Sequence, residues 1–92
     1  MYKFKEDQLI HELKEYIDLT YSQHYAQEQL QAMEIIIDGG HGVGFTIGSN
    51  TKYLKRYKKK GDDPETWRRD LLKNLHYSLL LLYIHDKEFN NG

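Results

Sequence analysis

At 92 residues and 11.0 kDa the chain forms one small domain, since a chain of this size buries only about 60% of the surface it exposes when unfolded; a multidomain enzyme is excluded. Apolar residues at 39%, aromatic at 13% and charged at 29% exclude the disordered class, and the absence of cysteine excludes disulfide staples, zinc–thiolate sites and thiol nucleophiles. The net charge of −1 hides a segregation: residues 1–38 carry three lysines against eight acids, residues 39–61 carry six bases and no acid, and residues 62–92 carry four bases against six acids.

From about Lys5 to Tyr21, Leu9, Leu13, Tyr16, Ile17 and Thr20 recur at spacings of three and four, which predicts an amphipathic helix. A second helix is predicted from about Ala26 to Asp38, with Leu30, Met33 and Ile37 on one face and Gly39-Gly40 suited to its C-terminus. The β-branched run Ile35-Ile36-Ile37 fits a short buried strand as well. The next stretch, Gly39-Gly40-His41-Gly42-Val43-Gly44, has four glycines in six positions and reads as a glycine-rich loop. A third helix is expected over Phe45 to Lys60, capped by Ser49 or Thr46 and stopped by Gly61. Asp62 or Asp63 caps a fourth, whose first turn holds the only proline, Pro64, and which runs to about Asp86. Along it Trp67, Leu71, Leu75, Leu79 and Leu82 form a stripe, and Leu79 to Ile84 is apolar nearly all round, so partners from another subunit are expected there. The fold class is thus all-α: about four helices in one domain over 1–92, with an N-terminal helix in 1–22 and a frayed tail at 87–92.

The first residues, Met1-Tyr2-Lys3-Phe4-Lys5-Glu6-Asp7, lack the apolar core of a signal peptide, and the longest apolar run, Leu79 to Ile84, is far short of the roughly twenty residues that span a bilayer. A soluble, intracellular protein without a membrane partner is expected. A pI of about 6.5 argues against an extended nucleic-acid partner. One compact cationic segment suits a small anion better.

The glycine run invites a phosphate-loop reading, but no lysine follows the second glycine of the Gly39/Gly44 pair, so it is not a Walker A motif. The five histidines show no paired ligand spacing, and no metal site is expected. The cationic segment Thr51 to Lys60 is more informative. As a helix it places Lys52, Arg56 and Lys59 on one face, with Tyr53 and Tyr57 beside them; cations meet phosphate, Arg56 bidentately, and a tyrosine face stacks a base. The competing reading is a solvated basic face with snorkelling lysines. On the fourth helix Asp70, Lys73 and Tyr77 share a face, and Asp70 is placed to pair with a cation of the third. His24 and Tyr25 lie at the joint of the first two helices, where they cap or contact a ligand.

The run His24-Tyr25, Glu34, then Phe45-x-x-Gly48-x-x-x-Lys52-Tyr53-Leu54-x-Arg56-x-x-Lys59, then Asp70-Leu71-x-Lys73-x-x-x-Tyr77 resembles the pattern of a family of small bacteriophage proteins. Its members are mostly uncharacterised, and some are labelled nucleotide kinases after the P-loop-free nucleotide kinase of a short-tailed coliphage. The resemblance covers residues 24–80. This chain has Gly48-Ser49 where the pattern has Gly-Asn, with Asn50 one position later, and Asn74 and Tyr57 stand where it has small residues. The resemblance implies a phage origin, residence in the cytoplasm of the infected bacterium, and a nucleotide or cyclic nucleotide ligand. It also implies a site built from Lys52, Tyr53, Arg56, Lys59, Asp70, Lys73 and Tyr77, with His24, Tyr25 and Glu34 nearby.

Three functions fit. The first is an oligomeric phage accessory protein that sequesters a nucleotide signal of host immunity, without a cofactor. The second is a nucleoside monophosphate kinase in which Lys52 and Arg56 stabilise the transferred phosphoryl group and Glu34 or Asp70 holds magnesium. The third is an inhibitor directed at a host defence protein, docking through its acidic first helix or apolar last helix. Small size and the shifted Asn favour sequestration over phosphoryl transfer.

Overall fold

A computed structural model describes residues 2–89, the Tyr25 side chain apart. Its elements are α1 (Glu6–Ser22), α2 (His24–Asp38), α3 (Gly42–Arg56) and α4 (Pro64–Phe89), and among the described residues there is no strand. The isoleucine run is helical, with Ile36 and Ile37 half-buried. Of the expected frayed tail, Lys87–Phe89 continue α4 and residues 90–92 lie outside the described residues.

α1 is covered along its predicted stripe: Leu13, Tyr16, Ile17 and Thr20 are half-buried, while Leu9 is left in the open. Glu12 accepts a bidentate pair of hydrogen bonds from Arg68 of α4, and the Tyr16 ring meets His76 edge-on at 6.4 Å between centroids. One extended residue, Gln23, separates α1 from α2. The Gln27 side-chain amide donates back to the Tyr21 carbonyl at 2.6 Å and closes that corner.

The junction of α2 and α3 corrects the expected glycine-rich loop. Only Gly39, Gly40 and His41 leave the helical path. They form a Schellman turn, in which the His41 N–H donates to the Ile36 carbonyl and the Gly40 N–H to the Ile37 carbonyl, both at 3.0 Å, with Gly40 at φ 85°. Gly42 and Gly44 already belong to α3, and Thr46 and Ser49 are interior to it rather than caps. Packing overrides glycine's poor helix propensity here. Gly42 is buried against Ile84 of α4 and Ile37 of α2, and the fully buried Thr46 hydroxyl donates within the first turn, to the carbonyls of Gly42 (2.9 Å) and Val43 (3.0 Å).

α3 also stops a turn early. It ends at Arg56, not Lys60, because Lys58 takes the left-handed conformation (φ 66°) and the chain turns there. The start of α4 matches expectation: Asp63 accepts the Thr66 N–H at 2.7 Å as N-cap, with Pro64 in the first helical position.

α3 and α4 form an antiparallel pair, joined by contacts from Arg56–Asp70 at the loop end to Gly42–Ile84 at the far end. The apolar C-terminal half of α4 is partly covered within the chain. Ile84 is buried and Leu80 and Leu81 are half-buried, whereas Leu79, Leu82 and Tyr83 are exposed. No described helix is long and apolar enough to cross a membrane.

Burial depresses the pKa of His76 below 6.5. The unfolded chain takes up that proton before the folded one does, so this contribution to stability is whole above pH 6.5 and declines as pH falls below it. His76→Phe keeps an edge-on ring against Tyr16 and removes the proton. Its urea midpoint should therefore fall less than the wild type's between pH 7.5 and pH 5.5; equal losses in both proteins would exclude His76 as the source.

Candidate functional site

Tyr53, half-buried on α3, is the centre of the cationic segment. Lys52 Nζ lies 4.7 Å from its ring centroid, Arg56 Cζ 4.9 Å, and Lys73 Nζ of α4 5.4 Å. Tyr77 stacks on it at 6.0 Å with an interplanar angle of 21°, and Phe45 meets Tyr77 in turn at 6.0 Å. Three cations thus crowd one aromatic ring, which holds them by its quadrupole although they repel one another.

Their positions follow from helix geometry. Lys52, Tyr53 and Arg56 lie within one turn of α3, and Asp70, Lys73 and Tyr77 recur at three and four along α4, so the antiparallel pair sets the two rows opposite each other. Arg56 donates from Nε to Asp70 Oδ2 (3.2 Å) and from an Nη to Asp70 Oδ1 (2.7 Å). Asp70 is 2% exposed. The hydrogen bonds and charge of the guanidinium hold its carboxyl below the ordinary 3.8, against the opposing effect of burial, and the same bonds make Arg56 harder still to deprotonate. The expected bidentate grip of Arg56 is therefore spent on Asp70 rather than left open for phosphate. Lys52 and Lys73 make no ion pair among the described residues. The cluster keeps a surplus of positive charge through these two lysines.

The phenols of Tyr16 and Tyr77 are pushed above their ordinary pKa of 10.0, chiefly by burial and then by the neighbouring tyrosines, and a hydrogen bond with Ser49 offsets part of this at Tyr77. Both remain neutral at physiological pH.

The structure brings together six of the residues singled out in the sequence: Lys52, Tyr53, Arg56, Asp70, Lys73 and Tyr77. Lys59 is a correction, because the early end of α3 leaves it exposed in the connecting turn, off the helix face it was expected to share. Among the described residues, no hydrogen bond, ion pair or ring contact joins His24 or Glu34 to the cluster. His24 faces Glu28 one turn along α2 at 3.3 Å, and Glu34 is exposed. The Tyr25 side chain lies outside the described residues. Sequence reasoning missed Phe45, Ser49 and Tyr16. The first two precede Lys52 on the same helix by seven and three residues, a spacing already available from the expected helix over Phe45 to Lys60; Tyr16 was hidden in the apolar stripe of α1.

An open groove lined by Ile37, Gly40, Gly42, Val43, Ile84, Lys87 and Glu88 shares no residue with this cluster. Its one lysine reaches Asp38 at 3.7 Å, so it offers an anion little. No group of three His, Asp or Glu side chains fit to hold a metal ion occurs among the described residues. Comparison of the chain with protein-family models, with curated proteins and with solved structures finds no match.

Proposed function

We propose that the protein binds a small phosphate-bearing ligand, a nucleotide or nucleotide-like signal, at the Lys52–Tyr53–Lys73 cluster and holds it without transforming it. One observation carries this reading: two lysines that make no ion pair among the described residues converge from different helices on one tyrosine ring, whose third cation is already neutralised by a buried aspartate. Two like charges held this close repel one another, and an anion between them would relieve that repulsion. The Tyr53 ring is engaged by Tyr77 and the cations, so the cluster recognises charge ahead of a base. The resemblance to small phage proteins makes sequestration of an immune signalling nucleotide, in the cytoplasm of an infected bacterium, the biological form of this binding. Phosphoryl transfer is the weaker reading, because both Asp70 oxygens are taken by Arg56 and Glu34 stands apart from the cluster.

Calorimetric titration with inorganic phosphate, a nucleoside mono- and triphosphate and a cyclic dinucleotide, with and without magnesium, tests it. Lys52→Ala and Lys73→Ala should each weaken binding by about 1.5–3 kcal/mol, the worth of a charged hydrogen bond. Lys55→Ala and Lys58→Ala should do much less. Equal effects at all four positions, or no binding at low salt, would leave a solvated surface and favour a protein-directed inhibitor; phosphate transferred to an acceptor would favour the kinase.

A further inference from the structure

On the side of the α3–α4 pair away from the cation cluster, two apolar stripes run side by side. On α3 they are Val43, Ile47 and Leu54, exposed by 44%, 50% and 56%, and on α4 they are Leu75 and Leu82, exposed by 45% and 57%, with Leu71 half-buried beside them. Each stripe has one polar interruption, at the same place. The series 43, 47, 50, 54 and 71, 75, 78, 82 both step by four, three and four, the spacing of a helix seam that meets another helix, and their third members are Asn50 and Ser78. Those two are joined, Asn50 Nδ2 donating to Ser78 Oγ at 3.4 Å, while the Asn74 amide donates to the Asn50 carbonyl and side-chain oxygens at 3.3 and 3.2 Å. The polar pair fixes the stripes next to each other as one two-helix face, and none of its eight positions carries a charge.

We propose that a second copy of this chain covers that face, the two α3–α4 hairpins packing as a four-helix bundle about a two-fold axis through the Asn50–Ser78 layer. A two-fold sets that polar layer against itself and the apolar layers on either side against each other, so the face is its own complement, and with no charge on it nothing selects a partner of opposite sign. The surface area points the same way. A monomer of 11.0 kDa is expected to expose about 5,600 Å², and this chain exposes 7247 Å². The excess of roughly 1,600 Å² is about twice what each partner buries in a stable complex of standard size. The radius of gyration, 14.4 Å, likewise exceeds the roughly 12.3 Å of a compact domain of this length. This places the subunit contact on the stripes Val43, Ile47, Leu54 and Leu71, Leu75, Leu82, which share only Leu82 with the all-round segment Leu79 to Ile84, half of which the chain covers itself.

Sedimentation of the full chain at tens of micromolar should give twice the single-chain mass, and the melting temperature should fall on dilution. Ile47→Glu and Leu75→Glu should each give the single-chain mass, while Ile35→Glu, on the exposed outer side of α2, should leave the dimer intact. If the glutamate variants lose their helical signal, Ile47→Ala and Leu75→Ala decide the matter, with the dimer dissociation constant expected to rise about tenfold or more for each. A wild type of single-chain mass with a concentration-independent melt overturns the proposal. So do face variants, glutamate or alanine, that associate like the wild type, or an Ile35→Glu that dissociates like them.

Discussion

Arg56→Ala should cost about 1–3 kcal/mol of folding stability, the penalty for leaving a buried hydrogen-bonding group without its partner. Asp70 is buried with both oxygens bonded to that guanidinium, so truncation removes both hydrogen bonds and leaves its carboxylate only the weaker pull of Lys73 and Lys60. Against the roughly 5–15 kcal/mol by which domains are stable, that is a loss a chain of this size tolerates badly. Removing both charges, as Arg56→Met with Asp70→Leu, should cost clearly less than Arg56→Ala, because no orphaned ion remains. The pH dependence supplies a second check. The folded-state pKa of Asp70 lies below 3.8, so the pair's contribution is present above that value and is lost as pH falls beneath it. The gap in urea midpoint between wild type and Arg56→Ala should thus be wide at pH 7 and narrower at pH 3. A variant as stable as the wild type at pH 7 would show that Asp70 has another partner. The same result bears on the proposed binding, since Arg56 variants would weaken a site through the fold, whereas Lys52 and Lys73 variants test the proposal directly.

Gly42→Val should destabilise by the upper part of about 1–3 kcal/mol or more, and Gly42→Ala by the lower part, through overpacking. A Cβ at residue 42 would lie 2.8 Å from Ile84 Cδ1 and 3.1 Å from Ile37 Cγ1. An isoleucine methyl turns away more cheaply than backbone moves, but valine's second branch has to displace α2 or α4 as well. Gly44→Ala supplies the contrast. Its Cβ would meet nothing within 4 Å, so the only change is improved helix propensity, and stability should rise by about 0.5–1 kcal/mol. Thermal melts of the two alanine variants should move in opposite directions; a shift in the same direction would mean that Gly42 is not a contact point of the three helices.

The four helices were legible in the sequence because each carries its own local signal. α1 has its stripe at three and four, α2 has Gly39-Gly40 at its end, and α4 has Asp63 and Pro64 at its start, all effects settled within a few residues. The rows Lys52/Arg56 and Asp70/Lys73/Tyr77 were legible for the same reason, as helical spacing is arithmetic. The bounds of α3 were not. Glycine propensity argued for a loop through Gly44, yet the burial of Gly42 against Ile37 and Ile84 pulls the helix start back to residue 42, and those partners lie five residues upstream and forty-two downstream. Its early end at Arg56, which removes Lys59 from the cluster, depends on a left-handed lysine that no propensity favours. Nor did the sequence distinguish a cation paired with an acid from one that is not. Arg56 and Lys52 look alike four residues apart, and only the approach of α4 separates them: it brings Asp70 against Arg56, whereas Lys52 makes no ion pair among the described residues. Local hydrogen bonding and periodicity are written in neighbouring residues, whereas charge pairing and close packing depend on which distant side chains arrive, and that was decided by the tertiary structure alone.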